Sequence, residues 1–540
     1  MSPTPWYHKT TIYQIYPRSF YDSNGDGIGD IPGITQKLDY LHGLGFETIW
    51  CSPFFESPQK DFGYDISNYE DIAPEYGSMD DALQLIEQVH RRGMKIVFDM
   101  VMNHTSMEHP WFKESRSSRD NPKADWYLWL DKPNNWRSIT GGRGWHFSEE
   151  RGQYYWSSFL PFQPDLNYRN PEVKKRMFET LCFWLGKGVD GFRLDIFNSI
   201  YKDAKFRNNP FSFRFLPNDA VSSRFFQKTK YTINQPESFQ FAHELRSLCD
   251  QYGDKMLLGE VSGPRNVIRK FMGSEKNDAL GLVFDFGMLP FEFSAKYFRE
   301  LIADIENQYP DPFMPVYVFS NHDNRRSIKR LAHNVQKAKL LHLLQFTVRG
   351  VPCLYYGEEI GMTDGKIPIT QAQDPIPREF RFIPQLVFDL LGITINRDEV
   401  RTPMQWDASR NAGFSSAETT WLPVNADYQS VNVETEASAT YSLLNTIRKL
   451  QKIRKQYPVL ESGSLELIIN DKVPDHVLMF RRTSGKHEIL VVMNFNKTGC
   501  RFDFNGNNWI KSFGLNPEDN VASGIIKVQG FGGLVLSKIV

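Results

Sequence analysis

Residues 78–104 read SMDDALQLIEQVHRRGMKIVFDMVMNH. Ser78 can cap a helix with Asp81 reaching back to it. Ala82, Leu85, Ile86 and Val89 then recur on one helical face, and Gly93 stops the helix. The run that follows, Lys95–Met102, is apolar almost throughout, as a strand covered on both faces must be. It ends on Asn103 and His104. A helix, a stop and a buried strand with a polar end together make one unit of a parallel α/β sheet.

The unit repeats outward from this stretch. Candidate strands are Thr11–Tyr16, Phe46–Cys51, Lys95–Met102, Gly191–Ile196, Met256–Val261, Gly281–Phe286, Val316–Ser320 and Val351–Tyr356. Asn170-Pro171 opens another helix, with Val173, Met177, Leu181 and Trp184 on one side. Eight βα units in series predict an α/β fold, a (β/α)8 TIM barrel. A doubly wound sheet is the alternative, but no GxGxxG turn follows the first strand.

Two segments break the alternation. Thr105 to Phe162 is rich in Trp, Tyr and Gly and too long for a plain loop, which predicts a small inserted domain after the third strand. Beyond Leu460 the runs become short and β-like, at Leu465–Ile469, Val477–Arg481, Glu488–Asn494 and Gly533–Ile539. The expected division is residues 1–104 with 170–460 for the barrel, 105–169 for the insert, and 461–540 for a C-terminal antiparallel β-sandwich.

Composition narrows the function. The 540 residues are 41% hydrophobic and 24% charged, which excludes disorder and fibrous architectures. Lys+Arg 63 against Asp+Glu 64 gives a net charge of −1, so nucleic acid is not an expected partner. Aromatics reach 14%, enough for a large core and for stacking against pyranose rings. No apolar stretch is long enough to span a membrane, and no apolar secretory segment opens the chain, so a cytoplasmic protein is expected. Cys51, Cys182, Cys249, Cys353 and Cys500 are scattered without CxxC spacing, which argues against a disulfide framework or zinc site.

In a barrel the working residues sit at the C-terminal ends of the strands. Those ends carry Asp99, Asn103 and His104 (third strand), Arg193 and Asp195 (fourth), Glu260 (fifth), and His322 and Asp323 (seventh). Carboxylates flanked by Arg and His on one rim suit glycoside cleavage. That reaction needs an acid on the leaving oxygen and a carboxylate facing the developing oxocarbenium ion.

The motifs resemble the α-amylase superfamily of glycoside hydrolases, and within it the α-glucosidase/oligo-1,6-glucosidase branch. The matching blocks are Thr11–Phe20, DMVMNH (99–104), QPDLN (163–167), GFRLD (191–195), GEV (259–261), SNHD (320–323) and RTPMQWD (401–407). The resemblance implies Asp195 as nucleophile, Glu260 as acid/base, and Asp323 as the carboxylate holding the sugar's 2- and 3-hydroxyls. Arg193 would orient Asp195 and keep it ionised. His104 and His322 would bind the same sugar. Tyr64 would stack on it and Phe159 would form a wall. Asp65, with Arg401 as partner, would close the pocket around the terminal 4-hydroxyl and make the enzyme exo-acting. Ile196, next to the nucleophile, stands where this branch carries Val with α-1,6 cleavage and Thr or Ala with α-1,4 preference; a barrel-core role without substrate contact is its other reading.

Near the N-terminus, Asp22, Asn24, Asp26 and Asp30 alternate with glycines like the first half of an EF-hand loop, without its distal Glu. A polar Gly-rich turn is the other reading. The resemblance implies structural Ca2+ (or Mg2+) here, with the Ile28 carbonyl as a further ligand. The expected function is therefore a retaining exo-α-glucosidase for small α-glucosides. Sucrose isomerase or transglucosidase activity would use the same carboxylates. A non-catalytic scaffold like the heavy chains of amino-acid transporters is opposed by the absence of a membrane span and by three intact carboxylates. The sequence leaves monomer and homo-oligomer open.

Overall fold

Eight parallel strands close into a barrel in the computed structural model, which describes residues 4–215, 222–379, 386, 395–504 and 508–539. They are β1 (Ile12–Ile15), β2 (Thr48–Cys51), β3 (Lys95–Met100), β4 (Gly191–Leu194), β5 (Met256–Glu260), β6 (Leu282–Phe284), β7 (Val316–Val318) and β8 (Val351–Tyr355). Each lies within one of the expected runs. The helix Met79–Arg91 has both halves of the Ser78/Asp81 capping box. The helix Pro171–Gly186 opens with the Asn170 side chain accepting from the Glu172 amide.

The barrel interior is filled by Ile12, Trp50, Val97, Leu258, Phe284, Val316, Val318 and Cys353. A larger cluster fills the layer between strands and surrounding helices. Register then determines what stands above the interior. Asp99 pairs with Arg193 across β3 and β4, and Arg193 pairs with Leu258 across β4 and β5. Side chains alternate along a strand, so Arg193 and Asp195 share the inward side, and Glu260 follows two residues above Leu258. Gly191 starts β4 as it must, because a Cβ there would lie 2.1 Å from the Met256 carbonyl oxygen.

The insertion after β3 folds around a three-stranded sheet of Trp129–Leu130, Gln153–Trp156 and Trp145–Ser148. Leu128, Trp136, Trp145 and Trp156 pack together in it. Lys202 ties it to the barrel from a buried position, pairing with Asp165 and donating to Asn103 Oδ1 at 2.7 Å. The C-terminal region begins its strands at Ser464 and builds antiparallel sheets of five and three strands. In the Gly365–Asn396 segment after β8, residues 380–385 and 387–394 lie outside the described residues, and the described Ile376 lines a cavity at the barrel rim. Among the described residues no helix is long and apolar enough to cross a membrane.

Candidate active site

Asp195, Glu260 and Asp323 line one cavity of about 340 Å3 at the C-terminal rim of the barrel. Tyr64, His104, Phe159, Ile196, His322 and Arg397 share its wall. Asp195 follows β4, Glu260 ends β5, and Asp323 sits in the turn after β7.

Arg193 organises the floor. It is 1% exposed, and its Nη1 donates to Asp195 Oδ1 at 2.8 Å and to Asp99 Oδ1 at 2.9 Å. Its Nη2 donates to Glu260. Trp50 Nε1 and Tyr64 Oη also donate to Asp99, at 3.2 and 3.1 Å. One guanidinium is thus shared among three carboxylates, so it cannot hold all of them ionised at neutral pH. Burial drives the carboxyls up, Glu260 to about 8 and Asp195 to about 7, while Arg193 opposes the rise in both. Glu260 is the group that retains a proton. Asp323 behaves differently. Burial alone would raise it, but the His322 ring and the Arg397 and Arg401 guanidinium groups hold it well below the usual carboxylate range. The two arginines carry that charge, because burial lowers His322 itself to about 3 and leaves it neutral.

The histidines are fixed by second contacts. Tyr64 stacks on His322 with ring centroids 5.3 Å apart and planes 3° from parallel, and its Oη lies 2.7 Å from His322 Nε2. Gln14 Nε2 donates to His322 Nδ1 at 2.8 Å. His104 Nε2 lies 3.1 Å from the Tyr64 carbonyl, and burial lowers the ring to about 4.

The geometry corrects one expected pair. Asp65 is absent from the cavity wall. Its carboxylate accepts from Ser57 Oγ at 2.9 Å and from the amides of Asp61 and Lys60 at 3.0 and 3.1 Å, so it braces its own loop. Arg401 is fully buried behind the wall, donating to Asp323 Oδ1 and the His322 carbonyl, each at 2.9 Å. The acid–base pair at the cavity is Asp61 with Arg397, at 2.6 Å, each four residues upstream of the expected partner. Arg397 also reaches Asp323 Oδ1 at 3.3 Å and lies over the Phe159 ring, 5.7 Å from its centroid. Asp374 accepts from Arg397 Nε and Nη2 at 3.0 and 2.8 Å and holds the guanidinium in a fork. The sequence offered a trace of this pair, since DFGYD contains two acids and RDEVR two arginines, but nothing in the spacing chooses between them.

The N-terminal loop is held mainly by its own side chains. Asp22 accepts from the amides of Gly25 and Gly27, both at 2.8 Å, and from Ser415 Oγ at 2.5 Å. Asn24 and Asp26 accept from the amides two residues on, and Asp30 caps the next helix through the Gly33 amide. Among the described residues no three His, Cys, Asp or Glu side chains converge to hold a metal ion.

Comparison with known proteins agrees with the barrel and its rim. The model of the alpha-amylase catalytic domain matches residues 14–463. The chain belongs to the α-amylase family. It is a glycoside hydrolase of that family. It is 37% identical to the oligo-1,6-glucosidase of Parageobacillus thermoglucosidasius, over 91% of each chain. It is 38% identical to a probable alpha-glucosidase of Rhizobium meliloti (strain 1021), over 91% of this chain and 89% of that one. Among solved structures, an alpha-glucosyl transfer enzyme superposes with a TM-score of 0.89 at 36% identity, covering 99% of both chains. An isomaltulose synthase from Erwinia rhapontici NX5, solved with sucrose, gives 0.89 at 32% identity, again over 99% of both.

Within this family frame Ile196 stands out. It is half-buried in the cavity wall and takes φ 31°, ψ 44°, a left-handed conformation unusual for a β-branched residue. Its amide points to Glu260 Oε2 at 3.4 Å. Strain of this kind persists where the surroundings over-determine it.

Proposed function

We propose that the chain is a retaining, exo-acting α-glucosidase that removes the terminal glucose of short α-glucosides through a covalent glucosyl-enzyme. The observation that carries the reading is the shared Arg193, which leaves Glu260 protonated beside an Asp195 that ionises first. In the first step Asp195 attacks the anomeric carbon. Glu260 gives its proton to the leaving oxygen, the glycosidic bond breaks, and a glucosyl ester forms. In the second step Glu260 takes a proton from water as the water oxygen attacks the same carbon and frees Asp195. Asp323, kept ionised by Arg397 and Arg401, binds sugar hydroxyls. Asp61 and Arg397 close the non-reducing end. Treating the enzyme with a 5-fluoro-α-glucosyl fluoride and sequencing the labelled peptide tests this: the label belongs on Asp195, and a label elsewhere refutes it.

Likeness to the transfer enzyme and the isomaltulose synthase supports a second reading, in which an acceptor other than water takes the glucosyl group. Product analysis on sucrose separates the two. A cytoplasmic setting accompanies either.

A structural Ca2+ (or Mg2+) on the N-terminal loop belongs to the same proposal. Asp22, Asn24, Asp26, the Ile28 carbonyl and Asp30 offer hard oxygen donors that suit such an ion. The loop lies outside the cavity wall, so the ion would secure the fold. Stability should rise with free metal, by roughly 2.7 kcal/mol at a hundredfold excess over Kd. Equal melting temperatures with and without a chelator refute the site.

A further inference from the structure

The catalytic cavity has two unlike ends. At one, Asp61, Arg397, Asp323 and His322 form a charged chain, with successive contacts of 2.6, 3.3 and 3.3 Å. The other end is knotted around Glu260. The Ile196 amide points to Glu260 Oε2 at 3.4 Å. Asn198 Nδ2 donates to Asn234 Oδ1 at 3.2 Å and to the carbonyl of Ser262, two residues beyond Glu260, at 2.9 Å. Asn234 Nδ2 donates to the same carbonyl at 3.2 Å, and its backbone amide donates to the Asn198 carbonyl at 2.8 Å. These bonds fix the neighbouring Ile233 beside Glu260. On the other flank Phe284 of β6 pairs with Glu260 in register, and the Phe286 ring stacks on Phe284 with centroids 5.4 Å apart. Ile196, Ile233 and Phe286 all line the cavity.

We propose that this end receives an apolar aglycone, so that the leaving group protonated by Glu260 is an alkyl or aryl alcohol in preference to a second sugar. The inference rests on the exo-glucosidase reading, which puts the leaving group against Glu260. Beyond the reacting pair, among the described residues, this end adds no carboxylate or histidine to the wall. Its polar groups are largely committed. The Asn198 amide donates as above, the Ser199 hydroxyl is buried beneath the surface, and Arg224 has a contact of its own. Asn321 Oδ1 accepts from the Asp323 amide and from Asn324 Nδ2, both at 3.0 Å. Ser262 offers one half-buried hydroxyl. A sugar placed here would give up water around several hydroxyls, and a hydroxyl left unpaired against Ile196, Ile233 or Phe286 costs binding. An alkyl chain has no such loss and gains about fourfold in affinity for each methylene it buries.

A homologous series of alkyl α-glucosides tests the proposal. Ethyl to hexyl glucosides leave as primary alcohols of nearly equal basicity, as does the glucose of isomaltose, so their differences report on contact with the wall. In the wild type kcat/KM should rise about tenfold or more from ethyl to hexyl, mainly through KM, and hexyl α-glucoside should exceed isomaltose. Ile233→Asn should flatten the series, and Phe286→Asn, at a half-buried position, should do the same. A flat wild-type series, or isomaltose preferred over the hexyl glucoside, overturns the proposal and leaves the exo-glucosidase reading standing. An unchanged slope in both variants overturns it as well. An enzyme that cleaves no α-glucoside overturns both readings together.

Discussion

Replacing Glu260 with Gln isolates the proton that the active site is arranged to hold. The wild-type pair is active when it carries one proton, on Glu260. Activity should rise as Asp195 ionises and fall as Glu260 does, giving a narrow bell for kcat/KM with limbs near about 7 and about 8. The amide still fills the site and can still donate to Asp195, so the acid limb should remain. The alkaline limb belongs to Glu260 and should vanish. General acid catalysis contributes about 10²–10⁴-fold, or ~3–5 kcal/mol, so turnover of isomaltose or maltose should fall by about that factor. An aryl glucoside with a good leaving group needs little protonation and should lose much less in the first step. The glucosyl-enzyme would then accumulate, because no base activates water. Azide needs no base and should restore turnover, giving α-glucosyl azide. Three assays suffice: pH profiles with a nitrophenyl glucoside, initial rates on isomaltose, and the anomeric configuration of the azide product. Near wild-type isomaltose turnover refutes the assignment of Glu260. A β-glucosyl azide refutes Asp195 as nucleophile.

The same substitution should stabilise the fold at alkaline pH. Glu260 is raised from 4.5 to about 8, so its unfolded form releases the proton first and stability is lost as pH rises between those values. By pH 8 the burden approaches about 5 kcal/mol as an upper bound, so the melting-temperature gain of Glu260→Gln should be larger at pH 8 than at pH 4.5; equal gains contradict the shift. Asp61→Ala leaves the buried Arg397 without one of its carboxylates and should cut kcat/KM by ~2–5 kcal/mol, whereas Asp65→Asn should lower the melting temperature and leave the folded enzyme's kcat/KM within a few-fold; the opposite pattern would return the pocket wall to Asp65. Ile196→Thr should shift kcat/KM from isomaltose toward maltose within the ~1–3 kcal/mol that a methylene-scale change in a pocket supports. A wild type that cleaves maltose freely and ignores isomaltose contradicts the part given to Ile196.

Why some of this was legible in the sequence and some was not follows from the range of the forces involved. The barrel strands could be read because burial on both faces imposes an unbroken apolar run, and that constraint is local to each strand. The carboxylates at their ends could be read because alternation along β4 turns Arg193 and Asp195 to the same side, and register brings Glu260 beside them. The pocket wall depends on how two distant loops meet. Asp61 faces Arg397 across 336 positions of chain, while Asp65, four residues on, is turned into its own loop by Ser57 and two amides. Both acids flank the same Phe-Gly-Tyr, and only the fold of the intervening turn assigns their roles. Residues 211–215 show a different limit. Phe211, Phe213 and Phe215 have the alternation of a strand with one buried face, yet it is Ser212 that is buried and the three rings that are exposed. Period identifies which residues share a face. Which way that face points depends on what it meets in the folded chain, and the period alone does not carry that.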